Sequence, residues 1–314
     1  MNRHPHWKAW LALFATYFFW GTTYLGIRMA LESFPPLMLI SGRFLASGIL
    51  MVLGALLLRA KLPRGRELRM TALYGALAIG GGNGALVVSE QWIPSGVAAL
   101  MVAISPFWMV GLEALLPGGE RLHLPTLGGI AIGFAGVMLL FAPGAASASV
   151  TTGPGLVGGF ILLQAGALCW CLGSLLQRRL KTEAHPVVSG AVQQLAAGLT
   201  YLPFALLIPE HPVHLSTRGV LAAAWLVIFG SVVGYSAFIY AMEHLPVPIV
   251  STYTYVNPVV ALALGWLFYR EPFGSREFLA MTGVFVGVAA VKYFSMNYKT
   301  RSEPEKAASS SSRG

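Results

Sequence analysis

Two polar-proline pairs interrupt long apolar runs of this chain: Ser105-Pro106 within 96–116 and Asn257-Pro258 within 248–268. A proline cannot bond the carbonyl about one turn earlier, and in hydrocarbon that carbonyl must find a partner inside the protein. The two prolines stand 152 residues apart (258 − 106). Interrupted apolar segments at matching positions of two halves point to the central site of a transporter. Tyr253 lies one turn before Asn257 on the same helical face, and Trp20 and Tyr24 share a face in the same way. Such aromatic sets either pack a core or wall a cavity for an amphipathic or aromatic substrate, oriented by hydroxyl and amide groups. Asn83 sits in the run Gly80-Gly81-Gly82-Asn83-Gly84. No strand precedes it and no Lys-Ser or Lys-Thr follows, so it is not a phosphate loop. Its glycines either bring helix backbones together or loosen a helix where substrate passes.

Charge inside the apolar runs is scarce. Arg43 lies seven residues past Pro36, about 10 Å into the apolar layer. A lone arginine at that depth costs ~2.5–3.5 kcal/mol and should face a wet cavity or a partner. Two readings stand for it: substrate contact, or a tie between helices through backbone carbonyls. Arg28 and Glu32, four apart, are spaced to meet on one face. Glu90 closes the third run on the same side and is placed to form a gate with Arg43. Glu113 is the most deeply embedded acid and the leading candidate for proton coupling. Gln193, the repeat counterpart of Arg43 by position, is a gate or coupling candidate near the cytoplasmic side, and Glu243 is a candidate for an inner gate. Cys169 and Cys171, two apart on a helix, point to nearly opposite sides; they read as small apolar fillers rather than a redox or zinc pair.

These residues need a membrane scaffold to position them. Of 314 residues, 56% are apolar and 11% charged, and all twelve acids are glutamate; soluble domains carry about 25% charged residues. Ten apolar runs occur, at about 10–29, 37–58, 70–89, 96–116, 126–142, 156–177, 188–208, 220–242, 248–268 and 278–295. The first is too long for a signal peptide and lacks a small-residue cleavage site, so it is expected to stay as a span. The net charge of +9 does not imply nucleic acid, because the basic residues fall in short loops. Sixteen of them lie on one side of the expected layer against three on the other. That bias places both termini in the cytoplasm.

Sliding one half over the other aligns Trp20 with Trp170, Arg28 with Arg178, Pro36 with Pro186 and Gly48 with Gly198, all 150 apart. Gly82 then meets Gly234, and Pro94 meets Pro246, 152 apart. Each half holds five runs, an odd number, so the second is expected upside down relative to the first. The expected division is a first repeat at 1–142, an outer linker at 143–155, a second repeat at 156–298 and a disordered cytoplasmic tail at 299–314. The fold class is an all-α integral membrane protein of ten spans in two inverted five-helix repeats.

The ordered set Trp20-Gly21-Thr22-Thr23-Tyr24, Pro35-Pro36 with Arg43, Gly82-Asn83-Gly84, Pro94-Ser95-Gly96 and Tyr255-Val256-Asn257-Pro258 resembles the EamA branch of the drug/metabolite transporter superfamily. Within it the chain is most similar to the YedA-like group of bacterial inner-membrane proteins. The likeness runs from about Phe14 to Tyr293. It implies helices 1–4 and 6–9 around a central cavity, with helices 5 and 10 more peripheral, and export of small metabolites, amino acids in some relatives.

The expected activity is therefore secondary transport by alternating access, with no cofactor or metal. The expected partners are a small-molecule substrate and the lipid bilayer, and the expected location is the bacterial inner membrane. A channel is the rival reading, separable by saturation and counterflow. A membrane-embedded enzyme is a weaker one, since neither H-E-x-x-H nor G-x-S-x-G occurs. Gly129, Gly133, Gly283 and Gly287 form two G-x-x-x-G patterns, which serve either a homodimer face or tight packing within one chain.

Overall fold

The computed structural model describes residues 6–117, 124–139, 154–180, 182–245, 250, 252–271, 273–291 and 293. Most of the expected linker and the whole expected tail lie outside the described residues. No strand occurs among those described. The helices are α1 (His6–Leu31), α2 (Pro36–Leu57), α3 (Gly65–Ser89), α4 (Ser95–Leu115), α5 (Leu124–Met138), α6 (Pro154–Arg179), α7 (Pro186–Leu207), α8 (Thr217–His244) and α9 (Tyr253–Tyr269), and residues 275–291 are also helical. Six of these, α2, α3, α4, α6, α7 and α8, are long and apolar enough to cross a membrane. Their outward faces carry bare leucines such as Leu57 at 86% exposure and Leu207 at 81%. Such surfaces suit lipid and not water.

Local sequence explains the ends. Pro36 and Pro186 open α2 and α7 at the first helical position, where a missing N–H costs nothing. The Ser216 hydroxyl accepts from Gly219 N at 3.0 Å and caps α8. α9 ends on Arg270 in the left-handed region (φ 53°). Arg270 N then bonds Trp266 O at 3.1 Å and Glu271 N bonds Gly265 O at 3.2 Å. This left-handed αL ending turns Glu271 back toward the bundle.

Three spans depart from regular helix. α3 carries a π-helical turn at Ala76–Gly81 and α8 one at Leu226–Val233. α4 breaks at Ala103 and Ile104, between the helical pieces Ser95–Val102 and Ser105–Leu115. Pro106 is thus the second residue of a new helical piece, not a mid-helix kink. The Ser105 hydroxyl donates to Val102 O at 2.5 Å, and Cys171 Sγ donates to Ser105 O at 3.3 Å. Pro258, by contrast, sits inside the unbroken α9.

Two compact units result. The first comprises the described parts of 1–105 and 146–273. Here α2 and α7 cross at two glycines: a Cβ on Gly48 would lie 2.8 Å from Leu195 N, and one on Gly198 would lie 2.7 Å from Leu45 N. Ser41 donates to Gly198 O at 3.0 Å across the same crossing. α3 lies close to α6 because Gly81 and Gly82 face Cys169 and Trp170, while Gly173 faces Ala78. Gly84 faces the Tyr201 hydroxyl of α7, which donates to Gly80 O at 3.1 Å. The glycine run therefore serves close approach, and the π-turn adjoins it.

The second unit comprises the described parts of 106–145 and 274–314. In it Gly133 and Gly287 face each other, Gly129 faces Val291, and Gly136 faces Gly283 and Val284. Phe107 fills the remaining side of Gly133 and packs on Phe134 at 5.9 Å between ring centroids. These glycine faces are occupied within one chain.

Candidate functional site

The first unit contains a cavity with about 1050 Å³ of empty space, its opening to solvent included. Trp20, Thr23 and Tyr24 of α1, Arg43 and Phe44 of α2, and Gly82 and Asn83 of α3 line it. Ser105, Trp170 of α6, Gln194 of α7, Ser231 and Tyr235 of α8, and Tyr253, Asn257 and Pro258 of α9 complete the polar and aromatic wall. Both π-turns contribute, through Ile79 on α3 and through Gly230 and Ser231 on α8. A π-turn widens the helix and shifts its carbonyls, which suits a wall that must offer polar groups.

Trp20 is the aromatic hub. Its ring meets Tyr253 edge-on at 5.2 Å, Phe238 at 5.0 Å and Trp170 at 6.5 Å. Its indole N–H donates to Gly230 O in the α8 π-turn at 3.2 Å. Asn257 is 6% exposed. With its amide assigned by hydrogen bonding, the nitrogen donates to Tyr17 O and Tyr253 O at 3.2 Å each. Asn257 therefore both borders the cavity and ties α9 to α1. The Ser47 hydroxyl donates to Gln194 Oε1, whose amide nitrogen contacts Met51 Sδ at 3.2 Å.

Among the described residues, Arg43 is the one charged residue of the wall. Its Nε donates to the Ser231 hydroxyl at 3.0 Å, and its guanidinium stacks on Phe44 at 4.9 Å. Nη1 is buried without a hydrogen-bond partner among the described residues. Uncommitted buried donors are uncommon in folded proteins, and this one leaves hydrogen-bonding capacity open beside the cavity. The arrangement offers an amphipathic small molecule an aromatic wall, several amides and hydroxyls, and one guanidinium. Among the described residues no group of His, Cys, Asp or Glu is placed to hold a metal.

Other residues singled out from sequence fall elsewhere. Pro106 belongs to the second unit and is not among the lining residues. Gln193 is buried and accepts from the Tyr235 hydroxyl at 3.0 Å, while its neighbour Gln194 faces the cavity. Glu113 is half-buried in the second unit, Glu243 is exposed, and Glu90 is buried without lining the cavity.

The end of the first unit where α1, α3 and α9 finish carries a network that spacing alone did not suggest. Arg28 pairs with Glu271 rather than with Glu32. Glu271, 5% exposed, also accepts from Ser95 N at 3.0 Å, Ser95 Oγ at 2.8 Å and Gly96 N at 3.0 Å. A carboxylate there satisfies the N-terminus of α4 and suits its dipole. Gly265 leaves the space this carboxylate occupies. Glu32 instead accepts from the Tyr269 hydroxyl and lies 3.7 Å from Arg218. Arg28 and Arg218 both stack on the Tyr269 ring, at 4.5 and 4.7 Å.

The EamA-like transporter family model matches the chain twice, over residues 7–142 and 157–293. The chain belongs to the EamA-like transporter family. This is a family of membrane transporters and not of enzymes. Among its relatives, the uncharacterized inner membrane transporter YedA of Escherichia coli (strain K12) is 37% identical over 282 residues, 89% of each chain. A probable terminal-alkyne amino-acid exporter of Streptantibioticus cattleyicolor is 28% identical, over 90% of this chain and 92% of that one. A probable amino-acid metabolite efflux pump of Escherichia coli (strain K12) is 26% identical, over 87% and 92%. A solved crystal structure matches with a TM-score of 0.66 at 22% identity, covering 92% of this chain and 98% of that one, which shows a shared fold.

Proposed function

We propose that this family member exports a small amphipathic metabolite, an amino acid or a related compound, by alternating access around the cavity of the first unit. The observation that carries the reading is Arg43: a buried guanidinium with a spare donor, set in an aromatic wall beside Asn83, Gln194 and Asn257. A substrate carboxylate would complete its hydrogen bonding in the geometry guanidinium groups favour. Trp20, Tyr24 and Tyr253 would hold the apolar body. The names of the amino-acid exporter and efflux-pump relatives support the substrate class.

The reading includes ten spans in two inverted halves, both termini in the cytoplasm and a bacterial inner-membrane location. The double family match and the basic-residue bias support it. No Walker A pattern occurs in the sequence, so ATP is not the energy source within this chain. The test is a panel of amino acids and related carboxylates in proteoliposomes, with and without an imposed proton gradient. Saturable flux with counterflow for at least one carboxylate is expected. Linear, non-saturating flux would make the chain a pore and reject the carrier reading.

A further inference from the structure

Glu90 follows the last residue of α3 and is 6% exposed, with neither carboxyl oxygen hydrogen-bonded among the described residues. Nothing in the cavity reading uses it. Buried carboxylates are ordinarily paired or hydrogen-bonded, because a bare ionised one away from water is costly. Several charges act on it. Arg28 comes from α1, Arg43 from α2 and Glu271 from the turn after α9, and the neutral Tyr24 phenol of α1 lies nearby. α6 meets this end of α3 through Gly159, which adds no charge. α7 brings Tyr201 only to Gly80 and Gly84, further along the helix.

Of the two cations, Arg28 is committed to Glu271, whereas Arg43 holds one neutral partner and a spare nitrogen. Glu90 and Arg43 are thus buried groups of opposite type, each with an unpartnered polar atom and with no ion pair between them among the described residues. We propose that Glu90 is a proton-binding site linked to Arg43: with the proton on Glu90, the guanidinium is free for an anionic group in the cavity. Loss of the proton creates a buried carboxylate that competes for the same guanidinium. Proton occupancy at Glu90 then sets the affinity of the cavity for an anion. Its part in transport rests on the proposed function; the proton site itself does not.

The test is ligand-free infrared difference spectroscopy of the full chain in liposomes, following the C=O stretch of protonated carboxyl groups. The wild-type chain should show at neutral pH a band that disappears as pH rises. Glu90→Gln should lose the band and Glu90→Asp should keep one at a shifted frequency. Arg43 favours the ionised form, so Arg43→Gln should move the loss of the band upward by roughly one pH unit, and Arg43→Lys should leave it near its wild-type position. A band that survives in Glu90→Gln, or none in the wild type, would overturn the site. An unchanged titration in Arg43→Gln would overturn the link. No substrate enters these measurements, so their failure is distinguishable from failure of the transport panel.

Discussion

Replacing Arg43 with glutamine separates a substrate contact from a structural tie, because the two roles move different observables. The substitution removes a charged hydrogen bond to Ser231 at 3.0 Å, worth about 1.5–3 kcal/mol. It also removes stacking on Phe44 at 4.9 Å, worth about 0.5–1 kcal/mol. Against this, burying a guanidinium costs several kcal/mol, and Arg43 is 6% exposed with one nitrogen unpartnered. The two sides nearly cancel, so Arg43→Gln should melt within a few degrees of the wild type and elute as a single species in detergent. Transport should respond differently. Loss of a desolvated charge pair with a substrate carboxylate costs about 2–5 kcal/mol, a factor of roughly thirty to several thousand in affinity. KM in proteoliposomes should rise by at least that lower factor, with Arg43→Lys intermediate because it keeps the charge but not the fork. A folded Arg43→Gln variant with wild-type KM would refute the substrate contact. A variant that fails to fold, with Arg43→Lys failing likewise, would refute the energetic argument.

The Glu271 network predicts that Glu271→Ala is destabilising by about 1–3 kcal/mol, because it leaves the buried N–H groups of Ser95 and Gly96 at the N-terminus of α4 unpaired; a melting curve that barely moves would dismiss its bridging role. Asn257→Ala should reshape selectivity across the substrate panel more than Ser105→Ala, since the Asn257 amide links Tyr17 and Tyr253 at the cavity edge while Ser105 bonds its own helix. Equal kcat/KM ratios for the two variants would count against this. A cysteine at Ser147, in a Cys169→Ser, Cys171→Ser background, should react with an impermeant reagent added outside intact cells. Labelling only in opened cells would reject the inverted-repeat topology.

The sequence by itself determined where the helices lie. Apolar runs long enough to span hydrocarbon leave the backbone no other way to satisfy its polar groups. α2 at Pro36–Leu57 and α7 at Pro186–Leu207 differ from the apolar runs by only a residue or two. α3 starts earlier, at Gly65, because its polar first turn stays helical without being apolar. Residues four apart on one helix, such as Tyr253 and Asn257, could be assigned to a common face, and both border the cavity. Tertiary structure decided what comes from elsewhere in the chain. Arg28 and Glu32 had the spacing of a pair, but Glu271 arrives from 243 residues away and takes Arg28. Adjacent Gln193 and Gln194 point about 100° apart on a helix, and only packing against α2 and α8 turned Gln194 to the cavity and Gln193 to Tyr235. Pro106 and Pro258 look alike in sequence, yet one stands second in a new helical piece and the other sits within an unbroken helix. A proline removes one donor wherever it stands, and the neighbours available to the freed carbonyl decide whether the helix breaks or continues.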